Sequence, residues 1–343
     1  MASVLETNFS YTYPGILSTE IFFKPTEDSP ALADLAIIDQ GISFKKQYNV
    51  LPGLNKILKP YDGCTPSYTG SAEITNKTLE VKEFSMNLEW CKDDFTGYLS
   101  GIYNNLAQEM LKTGNASFDL SGTPLVSVIS TLIEDATRRD VFRRISFGDT
   151  GSASADYDTI DGIWTQLIDN AGTASTYCVR KASGTSLGTA ALSSGEALDV
   201  LEKVYAQSTN LLKAVPTNKK AFYVTGSIWD NYYNSLAAVG AVTEQAYTAL
   251  VKGMPTLTYK GIPVIPVRIW DTDLADASNP LNATTAHLVL YTTKDNHRIG
   301  VEASSDLNKV EGFYSKVDRK YYFTGDMKFG YTYLHCDLQT IAY

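Results

Sequence analysis

The sequence predicts an α+β fold, and three observations carry that prediction. Thr123 to Phe147 keeps one uninterrupted helical period, Met254 to Tyr343 breaks into short aromatic-rich strands, and strand and helix never alternate as regular βαβ units. No internal repeat is visible.

From Met1 to about Lys59, short apolar runs lie between Pro14, Gly15, Pro25, Pro30, Pro52 and Gly53, which excludes one long element and reads as an extended arm on other surface. Within it a short helix is expected from Ser29 to Ile38, with Ser29 as cap, Pro30 in the first turn and Gly41 beyond the end. Pro60 to Trp90 alternates like strands, with turns at Asp62-Gly63 and Thr69-Gly70. It has one apolar face only, so a projecting hairpin of this kind needs something else to pack on. Lys92 to Lys112 reads as helical and is closed by Gly114.

The clearest helix starts with Thr123 as cap and Pro124 in the first position. Leu125, Val128, Ile129, Leu132, Ile133 and Ala136 recur along it, and Gly148 ends it. At about 1.5 Å per residue it would run roughly 35 Å. A small-residue loop, Gly148 to Ala155, leads to a short helix near Trp164 to Asn170, and a second such stretch, Ala182 to Ser194, is a candidate hinge. Ser193 and Glu196 then form a capping box for a helix reaching Leu212 and stopped by Pro216.

A strand at Ala221 to Thr225 follows, then helices from about Ser227 to Val239 and about Glu244 to Lys252. Strands Thr256 to Tyr259 and Ile262 to Val267 flank a Lys260-Gly261 turn. Pro263 and Pro266 place the second arm at a sheet edge or a bend, because proline cannot donate to a ladder. His287 to Thr293 is a strand, and Arg298 to Tyr343 gives three or four more, turned at Gly312, Asp318-Arg319 and Gly325-Asp326.

A length of 343 residues suggests roughly two domains. The 29 basic and 38 acidic residues leave a net charge of -9, so no global field attracts a polyanion and a sequence-reading nucleic-acid binder is disfavoured. The first residues lack a secretory signal, and no window is apolar for the length of a bilayer span. Production in the cytoplasm is therefore expected. Cys64, Cys91, Cys178 and Cys336 show no Cys-x-x-Cys spacing and read as reduced, packed thiols.

Catalytic signatures are lacking. His287, His297 and His335 stand at no metal-ligand spacing, Gly-x-Ser-x-Gly does not occur, and Gly184-Thr-Ser-Leu-Gly188 lacks the Lys of a phosphate loop. No cofactor and no enzymatic activity are expected. Asp156, Asp158 and Asp161, and separately Asp271, Asp273 and Asp276, are weak candidates for a hard cation; loop aspartates more often cap helices and form Asx turns. Arg138, Arg139, Arg143 and Arg144 could bind phosphate, but in an acidic chain the stronger reading is helix-end stabilisation and pairing with acidic groups between subunits. The 22 tyrosines, among them Tyr321 and Tyr331, suit either interfaces or sheet cores.

The order arm, projecting strands, long helix, small-residue loop, helix-rich unit, edge hairpin and terminal strands resembles that of tailed-phage major capsid proteins of the Hong Kong-97 fold. The matching stretches are the long helix into Phe147-Gly-Asp-Thr-Gly, then Asp161-Gly-Ile-Trp164, then Leu257-Thr-Tyr-Lys-Gly-Ile-Pro-Val-Ile265, then Arg298 to Glu302. The resemblance implies an N-terminal arm at 1–59, an E-loop with insertion at 60–118, a P-domain at 119–180 and 298–343 that includes the spine helix 123–147, and an A-domain at 181–297.

It further implies self-assembly as hexamers and pentamers into an icosahedral shell around double-stranded DNA, packaged without sequence-specific contacts. Arg138, Arg139, Arg143, Arg144, Lys77, Lys82, Tyr321 and Tyr331 become candidate contacts between subunits. There is no long charged helical extension of the kind that serves as a fused scaffold, so the resemblance implies a separate scaffolding protein, or none, with a portal and decoration or auxiliary capsid proteins as further partners. The shell would be assembled in the host bacterial cytoplasm, with no membrane involved. An encapsulin-type cellular shell shares this fold, and a glycan-binding tail or adhesin module is the reading from another class.

Overall fold

The computed structural model describes residues 32–50, 75–91, 124–172, 179–185, 187–238, 257–302, 311–315, 317–318 and 320–343. The helices expected at Lys92 to Lys112 and Glu244 to Lys252, and the arm before Leu32, lie outside them. The chain divides into two compact units. The first takes its described residues from Glu83–Val141 and Glu302–Lys328; the second takes them from Glu27–Lys82, Phe142–Val301 and Phe329–Tyr343.

Helix α1 (Leu32–Leu35) is shorter than expected, because Ile37–Asp39 forms strand β1. That strand pairs in parallel with a later strand, Ile37 opposite Arg298, so tertiary pairing overrides the helical tendency of Ile37 and Ile38. Strands β2 (Lys45–Val50) and β3 (Thr75–Glu80) pair antiparallel, and β4 (Lys82–Cys91) follows.

Helix α2 (Pro124–Phe147) begins and ends where its cap, proline and glycine signals put it. In the first unit Ile133, Thr137 and Val141 are buried, each four residues apart and so on one helix face. Ala136, expected on that face, is exposed. Thr137 sits where the sequence suggested an apolar group, and its hydroxyl lies 3.5 Å from the Met86 sulfur on β4.

In the second unit come α3 (Ile163–Asp169), β5 (Ala171–Gly172), β6 (Val179–Lys181), α4 (Glu196–Gln207) and α5 (Asn210–Ala214). One helix to Leu212 was expected, but two form. Ser208 bonds back to the Tyr205 carbonyl at 2.7 Å, and Thr209 caps the new helix by accepting from Leu212 N–H at 3.1 Å. Only half of the predicted capping box is present: the Glu196 carboxylate accepts from Ser193 N–H at 2.7 Å, while the cap itself is Gly195. The candidate hinge is tied down, because Gln207 exchanges hydrogen bonds with Ser183 and Lys203 donates to the Gly184 carbonyl.

The remaining elements are β7 (Lys220–Val224), α6 (Gly226–Ala238), β8 (Leu257–Tyr259), β9 (Ile262–Pro266), α7 (Arg268–Leu274), β10 (Val289–Thr293), β11 (His297–Val301), β12 (Glu311–Ser315), β13 (Lys320–Tyr333) and β14 (Gln339–Ala342). A seven-stranded mixed sheet runs β5-β6-β14-β10-β7-β9-β8. Helices α4, α5 and α6 cover one face of it, burying Val200, Leu201, Val204, Leu212, Ile228 and Trp229 against Phe222, Val224, Tyr259 and Tyr291.

The proline-bearing β9 lies second from the edge, not at it. In a two-residue hairpin Tyr259 and Ile262 form the hydrogen-bonded pair, so Pro263 falls in a non-bonded pair with Thr258. By the same alternation the missing donor of Pro266 faces the β8 side, beyond the Leu257–Val264 pair. The tail also departs from expectation: β13 runs unbroken through Gly325-Asp326, and Gly312 lies within β12. Cys336 is disulfide-bonded, which corrects the expectation that it is a free thiol.

Within the second unit β11 pairs with the end of β13, and Gly300 stands directly opposite Gly330. The two glycines make a notch that β3 fills. A Cβ on Gly300 would lie 2.7 Å from Leu79 Cδ2, and one on Gly330 would overlap the Glu80 carbonyl oxygen. In the first unit β12 pairs antiparallel with the start of β13, while Lys320–Glu89 at 3.1 Å and Lys328–Glu302 at 2.9 Å add ion pairs.

Candidate functional site

The four arginines near the end of α2 have different surroundings. Arg138 pairs with Asp135 at 3.5 Å, one turn back, and both Arg138 and Arg139 are exposed. Arg143 lies over the Tyr157 ring, 5.4 Å from its centroid. Arg144 donates to Thr159 Oγ1 and the Ala155 carbonyl, at 3.4 and 3.3 Å. The last two thus fasten the small-residue loop to the helix that precedes it.

The six aspartates do not gather. Asp161 accepts from Thr150 N–H and Oγ1–H at 2.9 and 2.8 Å, Asp158 accepts from Thr159 Oγ1–H, and Asp156 is exposed in the same loop. Asp276 makes an Asx turn to Ser278 and accepts from the Tyr157 hydroxyl, while Asp273 is buried on α7. Hydrogen bonds from Ser278 lower the Asp276 carboxyl. Asp271 caps α6 from another element, accepting from Gly226 N–H at 2.6 Å and Ser227 N–H at 3.2 Å. Among the described residues no three His, Cys, Asp or Glu side chains converge as a metal ion would require.

Sequence reasoning passed over one chemically suggestive pair. Ser227 Oγ lies 2.7 Å from His287 Nδ1, and His287 Nε2 lies 2.8 Å from the Ala190 carbonyl, the orientation of a base beside a hydroxyl nucleophile. The N–H groups of Gly226 and Ser227 beside this pair are bonded to the Asp271 carboxylate, which leaves neither of them for an oxyanion.

Of the hairpin lysines, Lys77 lies over the Tyr333 ring at 4.7 Å, and Lys82 pairs with Glu80 at 2.6 Å with half its side chain exposed. Tyr331 is buried, with its hydroxyl 2.6 Å from His297 Nδ1, whereas Tyr321 stands opposite Tyr314 in the ladder and its side chain is outside the described set. Asp39 also escaped notice. It gathers Tyr48 O–H, Lys46 and Arg298 at the base of the hairpin. Burial alone would raise its carboxyl; the hydrogen bonds and cations outweigh that and lower it.

Among the described residues these side chains hold structural bonds, and the decisive likeness is of nearly the whole chain. The capsid of an empty GTA particle matches at a TM-score of 0.56 and 12% identity, covering 96% of this chain and 94% of that one. Mycobacterium phage Ogopogo matches at 0.56 and 13%, and the capsid of Myoviridae phage XM1 at 0.55 and 11%; each covers 96% of both chains. The fold is the Hong Kong-97 capsid fold. No protein-family model and no curated protein matches the sequence. The Hong Kong-97 fold is thus held here on a sequence that shares about one residue in eight with the GTA capsid chain. Signals for the missed features were present as strand glycines at 300 and 330, a buried-strand histidine at 297 and an aspartate just before a strand-pairing turn at 39.

Proposed function

We propose that the chain is a major capsid protein that self-assembles as hexamers and pentamers into an icosahedral shell enclosing the double-stranded DNA genome of a tailed phage. The observation that carries this reading is coverage in both directions: capsid chains match over 96% of this chain and 94% or more of their own length. The likeness is to an entire shell subunit, not to one layer of it. A net charge of -9 suits an inner wall that must not hold DNA tightly.

On this reading the arm is 1–59, the E-loop with its insertion 60–118, the P-domain 119–180 with 298–343, and the A-domain 181–297. Exposed Arg138, Arg139 and Lys82 are our choices for contacts between copies, and Tyr321 on β13 is a fourth. Arg143, Arg144, Lys77 and Tyr331 act within the chain. The protein works without enzymatic chemistry or a cofactor, beside a separate scaffolding protein, a portal and decoration proteins. It assembles in the bacterial cytoplasm and ends in the virion.

Expression in bacteria followed by electron microscopy tests the proposal. Uniform shells, with nuclease-protected DNA in particles from infected cells, are expected. A persistent monomer or trimer that binds oligosaccharide would refute it, and native shells filled with an enzyme instead of DNA would replace it with an encapsulin.

A further inference from the structure

Inside the second unit the chain leaves β10, makes one tight turn and enters β11 at His297. That ring is wholly buried and held at both nitrogens, with Nε2 2.9 Å from Thr292 Oγ1 and Nδ1 2.6 Å from the Tyr331 hydroxyl. The Thr292 hydroxyl has one hydrogen, and it goes to the Leu338 carbonyl at 3.0 Å. With that hydrogen on the carbonyl, Oγ1 accepts from Nε2–H, and the matching tautomer leaves Nδ1 bare to accept from Tyr331 O–H. The hydrogen bonds thus run one way, from β13 through β11 and β10 to the segment that opens β14.

The surroundings offer a proton no welcome. Tyr331 and Tyr333 face the ring from β13 and Thr292 from β10, and none of them is anionic at neutral pH. Lys77 of β3 lies on the Tyr333 ring, and Arg298 points to the opposite face of β11, where it pairs with Asp39. Among the described residues no carboxylate acts on the imidazole, and burial pushes it down to about 3. Protonation would put an uncompensated charge in a dry site and turn Nδ1 into a donor, so that the Tyr331 hydroxyl could only accept there and would have to turn its own hydrogen elsewhere.

We propose that His297 is an acid latch: mild acid weakens the hold of the Tyr331–His297–Thr292 chain and favours release of β11 and the end of β13 from β10. The sign follows from proton uptake. The unfolded chain binds a proton at this histidine below the ordinary value of 6.5, whereas the folded chain resists until about 3. The latch is therefore fully closed above that ordinary value and weakens as the pH falls towards the folded one, with the opening equilibrium rising about tenfold per pH unit.

The test compares denaturant unfolding of the wild type and His297→Gln at about pH 6.5 and about pH 4.5. The wild-type unfolding equilibrium should rise about fiftyfold more than that of the variant. Equal pH dependence overturns the proposal. If the variant fails to fold, hydrogen exchange at the imidazole C2 positions of the wild type, read by mass spectrometry, decides. His297 should titrate only together with loss of backbone protection over 297–301 and 329–333. Titration near its ordinary value with protection intact would end the idea.

Discussion

Gly330 shows how one residue can set the place of a hairpin. Its missing side chain is the space taken by the Glu80 carbonyl, and its partner Gly300 receives Leu79. Gly330→Ala should cost about 2–3 kcal/mol, since the clash is with backbone and cannot be relieved by a rotamer change. A urea midpoint unchanged from the wild type would contradict that. The turn at Lys260-Gly261 makes a second demand, because both residues have positive φ, 50° and 75°. Lys260 there lies over the Tyr205 and Tyr259 rings, at 4.4 and 5.3 Å. Gly261→Ala should lose about 1 kcal/mol, measurable in the same unfolding assay.

Elements were legible where several local signals agreed. Helix α2 has cap, proline, period and closing glycine together, and the β8–β9 hairpin has its Lys-Gly turn. They were illegible where a distant partner decided, as when β11 draws Ile37–Asp39 into a strand or when flanking strands carry β13 across Gly325. The same holds for the candidate residues: Asp276 forms the Asx turn its sequence suggests, while the partner of Asp271 is the start of another helix. Asp271 allows a prediction about that helix. Burial raises its carboxyl despite the N–H bonds it accepts. The folded state thus holds this proton more tightly than the unfolded one, so this group's contribution is greatest in acid and declines as pH rises through the folded value. Asp271→Asn should be nearly neutral at pH 7, because an oxygen acceptor remains. Asp271→Ala should cost about 1–2 kcal/mol, as for a lost N-cap. Equal losses in the two variants, measured by thermal unfolding, would show that charge rather than an acceptor is what α6 needs.

For the whole molecule, the question is which parts fold alone and which serve neighbours. Arg138→Glu with Arg139→Glu alters exposed positions on α2, so it should leave the circular dichroism spectrum unchanged and lower melting only slightly, through the lost Arg138–Asp135 pair, while stopping shell formation. Normal particles from that variant would remove these arginines from the contact set. The arm gives the sharper division. Among the described residues the second unit is anchored from Asp34 onward: Tyr223 donates to the Asp34 carbonyl at 2.7 Å, Leu35 and Ala36 are buried, and Ile37–Asp39 pairs with β11. Residues 1–30 precede all of these anchors and are broken by Pro14, Pro25 and Pro30. Their deletion should therefore leave a monomer that melts within a few degrees of the full chain, because the pairing of β1 and the buried Leu35 survive. If those residues pack on neighbouring subunits, the truncated protein should nevertheless fail to close shells under conditions in which the full chain does. Sedimentation and electron microscopy separate the outcomes. Intact particles would mean that the arm is dispensable for assembly, and an unfolded monomer would mean that it belongs to the core of its own subunit.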